Sequence, residues 1–335
     1  MNSPNNAIRR LLLVKTSSLG DVVHNLPAVS DLSVRFPRAE IDWLVEEAFA
    51  PIPRLHAMVH RVIPVNLRRW RGNILSRETW REIRALRGAL ASAPYDAVID
   101  TQGLLKSALL ARLARGPRIG PDWKSSREPL AIFYDRVVAA PWALHAVERN
   151  RVLAAGALGY EVSGPANYAI QVPPASMQRL RTALSGALRT ALDRPFALLL
   201  HATSDPAKQW PGERWATLGA ALHARGLQSW LPFGSEAERL RSEWLADRIP
   251  GALVPPRFAL DLAAALLCAA SVVVGVDTGL AHLAAALGRP TVGIFCATDP
   301  AATGLYGAAR AVNLGNLHRR PAVAEVAAAV ERLIG

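Results

Sequence analysis

Ser271-Val272-Val273-Val274-Gly275-Val276-Asp277-Thr278-Gly279-Leu280-Ala281-His282-Leu283-Ala284 is the stretch that decides the fold. A run of β-branched and small apolar residues stops at a carboxylate, a hydroxyl and a glycine, and an alanine-rich segment follows. The run predicts a strand over 272–276 buried on both faces, a tight turn, and a helix over 280–287. A strand feeding a helix through so short a turn is half of a βαβ unit, which belongs in a parallel sheet. The turn also gathers helix-opening amides and the positive end of a helix dipole, a setting that suits phosphate.

The same alternation extends in both directions. Towards the C-terminus lies a strand over 291–295. Towards the N-terminus lie a helix over 261–270, another over 236–246, a strand over 229–232, a helix over 213–225 and a strand over 196–200. The first half repeats the scheme, with strands over 10–14, 41–45, 62–65 and 97–100 and helices over 21–36 and 78–91. Between the halves, residues 163–174 carry Gly164, Pro165, Pro173 and Pro174 and read as a linker, although the alternation over 168–172 reads equally as a strand. The expectation is a first domain over 1–168, a second over 169–318, and a terminal helix within 319–335 that packs back on the first domain.

The 335 residues are 51% hydrophobic and 20% charged, a globular composition with room for two cores. Cys268 and Cys296 sit in apolar segments without metal-ligand spacing and read as buried free thiols of a reducing compartment. Lys15 cuts short the apolar run after Arg10, so no signal peptide is expected, and 262–276 is too short and interrupted to span a membrane. A soluble, cytoplasmic protein is expected. The net charge of +12 is concentrated in the first half and calls for an anionic partner or surface, while part of it is simply solvated arginine. Helix-turn-helix, zinc-finger and RNA-binding aromatic signatures are all missing, which argues against nucleic acid.

Three strand-end loops carry the candidate chemistry. Lys15-Thr16-Ser17-Ser18-Leu19-Gly20-Asp21 has small residues around a carboxylate at a helix start. Asp21 reads either as a catalytic group or as an N-terminal cap stabilising by about 1 kcal/mol. His201-Ala202-Thr203-Ser204-Asp205-Pro206-Ala207-Lys208 offers two hydroxyls and an ammonium, a set suited to a diphosphate, or else a polar turn. Asp277-Thr278-Gly279 with His282 is the third, where His282 reads as a ligand group or a core histidine. No D-x-D, H-E-x-x-H, Walker or G-x-G-x-x-G pattern is present, which leaves no metal site in prospect and weighs against a dehydrogenase.

At these loops the chain resembles glycosyltransferase family 9, the heptosyltransferases. The resemblance runs through KTSSLGDVVHNLPA, VEEAFAPIP, RVIPVNLRRWR, DTQGLLKSALLARLA, REPLAIFYDR, HAVERNR, HATSDPAKQWPGERW, LPFGSEAER and VDTGLAHLAAALGRP, in order, over most of the chain. Its K-T-S-S-x-G-D opening matches the branch that adds the first heptose.

The resemblance implies an α/β protein of the GT-B fold, two Rossmann-like domains whose parallel sheets face an interdomain cleft. It implies inverting, metal-independent transfer of L-glycero-D-manno-heptose from ADP-heptose to Kdo of the lipid A–Kdo inner core. No cofactor is then needed, since ADP-heptose is a substrate. Asp21 would be the general base. Ser18, Gly20, Arg68, Arg71 and Arg127 would bind the acceptor. Thr203, Ser204, Lys208, Glu238, Phe258, Asp277, Thr278, Gly279 and His282 would bind the donor, with Glu238 on the ribose and Phe258 near adenine, where the family often has methionine. An anionic inner-membrane surface is the further partner, contacted peripherally from the cytoplasmic face. Two rival readings are a sibling transferase for a later heptose and a non-catalytic nucleotide-binding module in which Asp21 is only a cap.

Overall fold

The computed structural model describes residues 8–335. It forms two compact units, one ending at Ala169 and the other beginning at Ile170. The first unit is built on strands β1 (Arg10–Val14), β2 (Glu40–Glu46), β3 (Val59–Val65), β4 (Ala97–Asp100), β5 (Arg118–Pro121) and β6 (Arg136–Val138). All neighbouring pairs are parallel, in the order β3-β2-β1-β4-β5-β6. Leu11, Leu12, Leu13 and Val14 are fully buried, as a central parallel strand covered on both faces requires. Leu11 lies opposite Ile41 on one side and Ala97 on the other.

The second unit carries β7 (Phe196–Leu200), β8 (Gln228–Trp230), β9 (Val272–Val276), β10 (Thr291–Phe295) and β11 (Ala311–Gly315), all parallel, in the order β11-β10-β9-β7-β8. Gly275 permits a close return of the helix Gly279–Ala286 over β9. A Cβ at that position would meet the Cβ atoms of Ala281 at 3.0 Å and Leu200 at 3.1 Å.

In each sheet the chain winds outward, then returns to the middle and winds the other way. The reversal falls between β1 and β4 in the first unit and between β7 and β9 in the second. At such a switch point the loops leaving neighbouring strands part in opposite directions and open a crevice at the strands' carboxyl ends. The loops so placed are 15–18 and 101–104 in one unit, and 201–208 and 277–278 in the other.

Two expectations are corrected. The helix foreseen over 21–36 is two helices, Leu19–His24 and Leu26–Arg35, because Pro27 has no amide to give the Val23 carbonyl. The C-terminal helix Val323–Ile334 belongs to the second unit. Its buried Val326, Ala329 and Val330 form one apolar stripe against Trp215, Leu218, Leu222 and the sheet residues Val274 and Ile294. Of the two thiols, Cys296 is buried and Cys268 only half-buried.

Each unit holds a histidine that folding keeps neutral. Burial lowers His56 from 6.5 to about 4, its Nε2 lying 2.9 Å from Ser30 Oγ. Burial, and then Arg241, lower His201 from 6.5 to about 3, its Nε2 lying 2.8 Å from Ser242 Oγ. Below pH 6.5 the unfolded chain takes up protons that the folded state refuses. Stability is therefore full above that pH and falls as the pH drops towards the folded values, by about 1.4 kcal/mol per pH unit for each histidine. The melting temperature at pH 5 is expected about 4–8 °C below that at pH 7.5. Equal values by calorimetry would show that the buried rings accept protons in the folded state.

Candidate functional site

At the switch point of the first sheet lies a pocket of about 240 Å³. Lys15, Ser17, Ser18 and Asp21 line it from the end of β1, Thr101 to Leu104 from the end of β4, and Ser125, Arg127, Ala140 and Trp142 from the loops after β5 and β6. Arg149, Asn150 and Leu153 complete it from the helix Ala146–Leu158. Asp21 sits three residues beyond Ser18, whose amide and hydroxyl both donate to Asp21 Oδ2, at 2.7 and 3.0 Å. One carboxylate oxygen thus caps the helix. The other, Oδ1, accepts no hydrogen bond among the described residues.

Cations surround this carboxylate without pairing with it. Lys15 is 6% exposed, and its Nζ donates to Thr101 O at 2.7 Å and Asn150 Oδ1 at 3.3 Å. Burial pulls its ammonium below the usual lysine range, against the attraction of Asp21 and Asp100. Lys106 Nζ reaches Ser17 Oγ at 2.7 Å. The helix sequence Glu148-Arg149-Asn150-Arg151 divides its labour by direction. Arg149 and Asn150 face the pocket, while buried Arg151 bonds Asp31 and Glu148 and holds the helix to the one at Leu26–Arg35.

In the second unit the strand-end loops converge on Asp277, which is 8% exposed. Lys208 Nζ lies 2.7 Å from Asp277 Oδ2, Thr298 Oγ1 donates to the same oxygen at 2.8 Å, and His282 Nε2 lies 3.2 Å from Oδ1. Thr203 Oγ1 donates to the Asp277 carbonyl at 3.3 Å. Burial opposes ionisation of this carboxyl, yet the bonds and charges of His282 and Lys208 prevail and hold it well below the usual carboxylate range. Lys208 is presented by the one-turn helix Pro206–Lys208, which Asp205 caps through Ala207 N at 2.9 Å. Just beyond it, buried Trp210 donates to Pro321 O at 3.0 Å and anchors the loop. Thr278 opens the helix Gly279–Ala286 without committing its hydroxyl to a cap. The ammonium of Lys208, the hydroxyls and the helix-opening amides are groups able to receive an anion, and here the ammonium is paired with Asp277.

The family model for glycosyltransferase family 9 (heptosyltransferase) matches residues 83–330. The chain belongs to glycosyltransferase family 9. Lipopolysaccharide heptosyltransferase 1 of Salmonella typhimurium is 44% identical over 301 residues, covering 89% of this chain and 92% of the relative. The solved structure of the E. coli heptosyltransferase WaaC with ADP has a TM-score of 0.84 at 41% identity, covering 97% of this chain and 99% of that one. The same enzyme with ADP-2-deoxy-2-fluoro heptose gives 0.79 at 42% identity, over 97% and 98% of the two chains. As a family 9 member the protein is a glycosyltransferase of two Rossmann-like domains, the GT-B fold class.

Among the residues that the family 9 resemblance singles out, the structure gathers Ser18, Asp21 and Arg127 in the first-unit pocket. Gly20 lies in the capped helix behind them. Arg68 and Arg71 stand apart on the exposed helix Leu67–Gly72, which follows the edge strand β3 and does not line this pocket. Thr203, Lys208, Asp277 and His282 form one bonded group, with Thr278 and Gly279 at its helix start. Ser204 is exposed in the same loop, and Phe258 is half-buried just before the helix Leu260–Ala269. Glu238 Oε2 accepts from Gly234 N at 2.7 Å and closes its own loop. Among the described residues no cluster of three or more His, Cys, Asp or Glu could hold a metal ion. Sequence reasoning placed Lys15 in a candidate strand-end loop without giving it a role, and it missed Gln102, Trp142, Arg149 and Asn150 as pocket residues. The strand-end rule, applied also to the end of β4, would have raised Gln102.

Proposed function

We propose that this glycosyltransferase moves L-glycero-D-manno-heptose from ADP-heptose to a Kdo hydroxyl of the lipid A–Kdo acceptor, with inversion and without a metal ion. The second unit's anion site takes the diphosphate and the first unit's pocket takes the acceptor sugar. Asp21 accepts the hydroxyl proton as the new glycosidic bond forms, and ADP departs with the electron pair of the broken anomeric C–O bond. Lys208 and the helix opening at Gly279 receive the growing charge on ADP. The observation that carries this reading is Asp21, one oxygen fixed by Ser18 and the other without a hydrogen-bond partner among the described residues, in a pocket of about 240 Å³. The E. coli relative solved with ADP and with a fluorinated ADP-heptose supports the donor. Incubation with ADP-heptose and Kdo-lipid A, with and without chelator, tests it, with the product's anomeric configuration read by NMR. Retention of configuration, or activity lost to chelation, would overturn the mechanism.

The same reading places the first unit against an anionic bilayer. Ile74, Leu75 and Trp80 are 61%, 95% and 51% exposed, and exposed Arg68, Arg71, Arg77 and Arg81 flank them in sequence. Apolar tips within a basic surface suit the headgroup boundary of anionic lipid. No described helix is long and apolar enough to cross a membrane. Leu75→Glu is expected to weaken co-sedimentation with phosphatidylglycerol vesicles about 10-fold. Vesicle binding by the wild type that is absent, or insensitive to both salt and this substitution, would remove the membrane contact.

A further inference from the structure

The helix Glu236–Ala246 turns one face inward. Ser242 and Leu245 are fully buried and Arg241 is half-buried beside them, while Glu236, Ala237, Leu240 and Glu243 are exposed. From that face, two consecutive residues grip the loop 201–210 at both of its ends. Ser242 Oγ lies 2.8 Å from Nε2 of His201, the first residue after β7. Arg241 holds the far end, with Nη1 donating to Gln209 Oε1 at 2.9 Å and Nη2 to the Trp210 carbonyl at 3.0 Å. Between the grips lie Thr203, Ser204 and Lys208, the last of them next in sequence to Gln209.

Arg241 differs from its neighbour on the same helix. Arg239 is neutralised by Glu236 and Glu243. Among the described residues no carboxylate lies within ion-pair distance of Arg241, and its buried Nε has no hydrogen-bond partner. Burial alone draws this guanidinium below the usual arginine range. A half-buried cation served only by neutral acceptors is costly to keep, so a role beyond packing is expected of it. The planar fork fixes two adjacent residues at once, which a lysine or a glutamine could not do. A carboxylate beside it would also cancel, at short range, charge that the loop offers to a phosphate. Lys208 is itself paired with Asp277, so Arg241 is the cation behind this loop that stays unneutralised. We infer that Arg241 is a positioning residue for the donor diphosphate: it braces Gln209 and Trp210, thereby aims the Lys208 ammonium, and adds uncancelled positive potential. This assignment deepens the ADP-heptose reading above and rests on it.

The test measures ADP and adenosine affinities by NMR titration of the full chain and its variants. Arg241→Gln is expected to weaken ADP binding about 10-fold, the effect of losing charged hydrogen bonds, and to leave adenosine binding unchanged. Arg241→Lys, which keeps the charge and one donor, should recover part of that loss. The effect should also run through Lys208. In a Lys208→Ala background, Arg241→Gln is expected to weaken ADP by less than about 2-fold, the signature of two residues acting as one unit. Undiminished ADP affinity in Arg241→Gln would overturn the assignment. A loss shared equally by adenosine would do the same, since a helix merely out of place would disturb the whole nucleotide. So would a loss of full size in the Lys208→Ala background. A wild type that binds neither ADP nor adenosine would instead overturn the donor reading itself.

Discussion

Asp21→Asn is expected to lower kcat on the order of 10³-fold while ADP-heptose affinity stays near the wild-type value. The change is chosen because Asp21 has two jobs on two oxygens. Oδ2 accepts from the Ser18 amide and hydroxyl and caps the helix Leu19–His24. An asparagine carbonyl can keep those bonds, so the helix start survives and only the proton acceptor is lost. Asp21→Ala removes both and should add a stability loss of about 1 kcal/mol to the same kinetic defect. Rate and melting temperature measured together separate the roles. A purely structural aspartate would leave Asp21→Asn active and show its effect only in Asp21→Ala. Should Asp21→Asn turn over at a rate within a few-fold of wild type, another group must take the acceptor proton.

The strands that reveal themselves in sequence are those buried on both faces. β7 and β9 are unbroken apolar runs, as are β1 after Arg10 and β10 after Thr291, and the folded chain buries each almost completely. β5, β6 and β11 escaped notice for physical reasons. β5 begins at Arg118 and ends in Gly120-Pro121. β6 has only three residues, with Arg136 and Val137 exposed, and β11 is half-buried at an edge. Loops at central strand ends were legible because the chain must turn there with small and polar residues. Side chains delivered by a distant helix were not. Lys15 meets Asn150 across 135 residues of sequence, and nothing local in Glu148-Arg149-Asn150-Arg151 says which side chains turn to the pocket. The terminal helix misled for a related reason. Its stripe of Val326, Ala329 and Val330 shows that it packs, and only the uncovered face of the second sheet shows where.

Lys208→Ala is expected to lower kcat/KM on the order of 10³-fold by removing the main cation for the departing diphosphate. The single variant is ambiguous, because it also strands a buried charge. Asp277 would keep His282 and Thr298 but lose the ammonium 2.7 Å from its Oδ2, and a buried carboxylate deprived of its partner destabilises the fold. The double variant Lys208→Ala with Asp277→Asn resolves this. Neutralising Asp277 removes the stranded charge and should restore most of the melting temperature, whereas ADP affinity should remain low because no cation meets the diphosphate. Asp277→Asn alone frees Lys208 from its counter-ion and removes a negative charge beside the phosphate site, so ADP binding should hold or tighten. Calorimetric titration with ADP across these three variants separates the two roles of the lysine. Recovery of ADP affinity in the double variant would mean that Lys208 serves only to neutralise Asp277, and the diphosphate would have to be held by the helix opening and the hydroxyls alone.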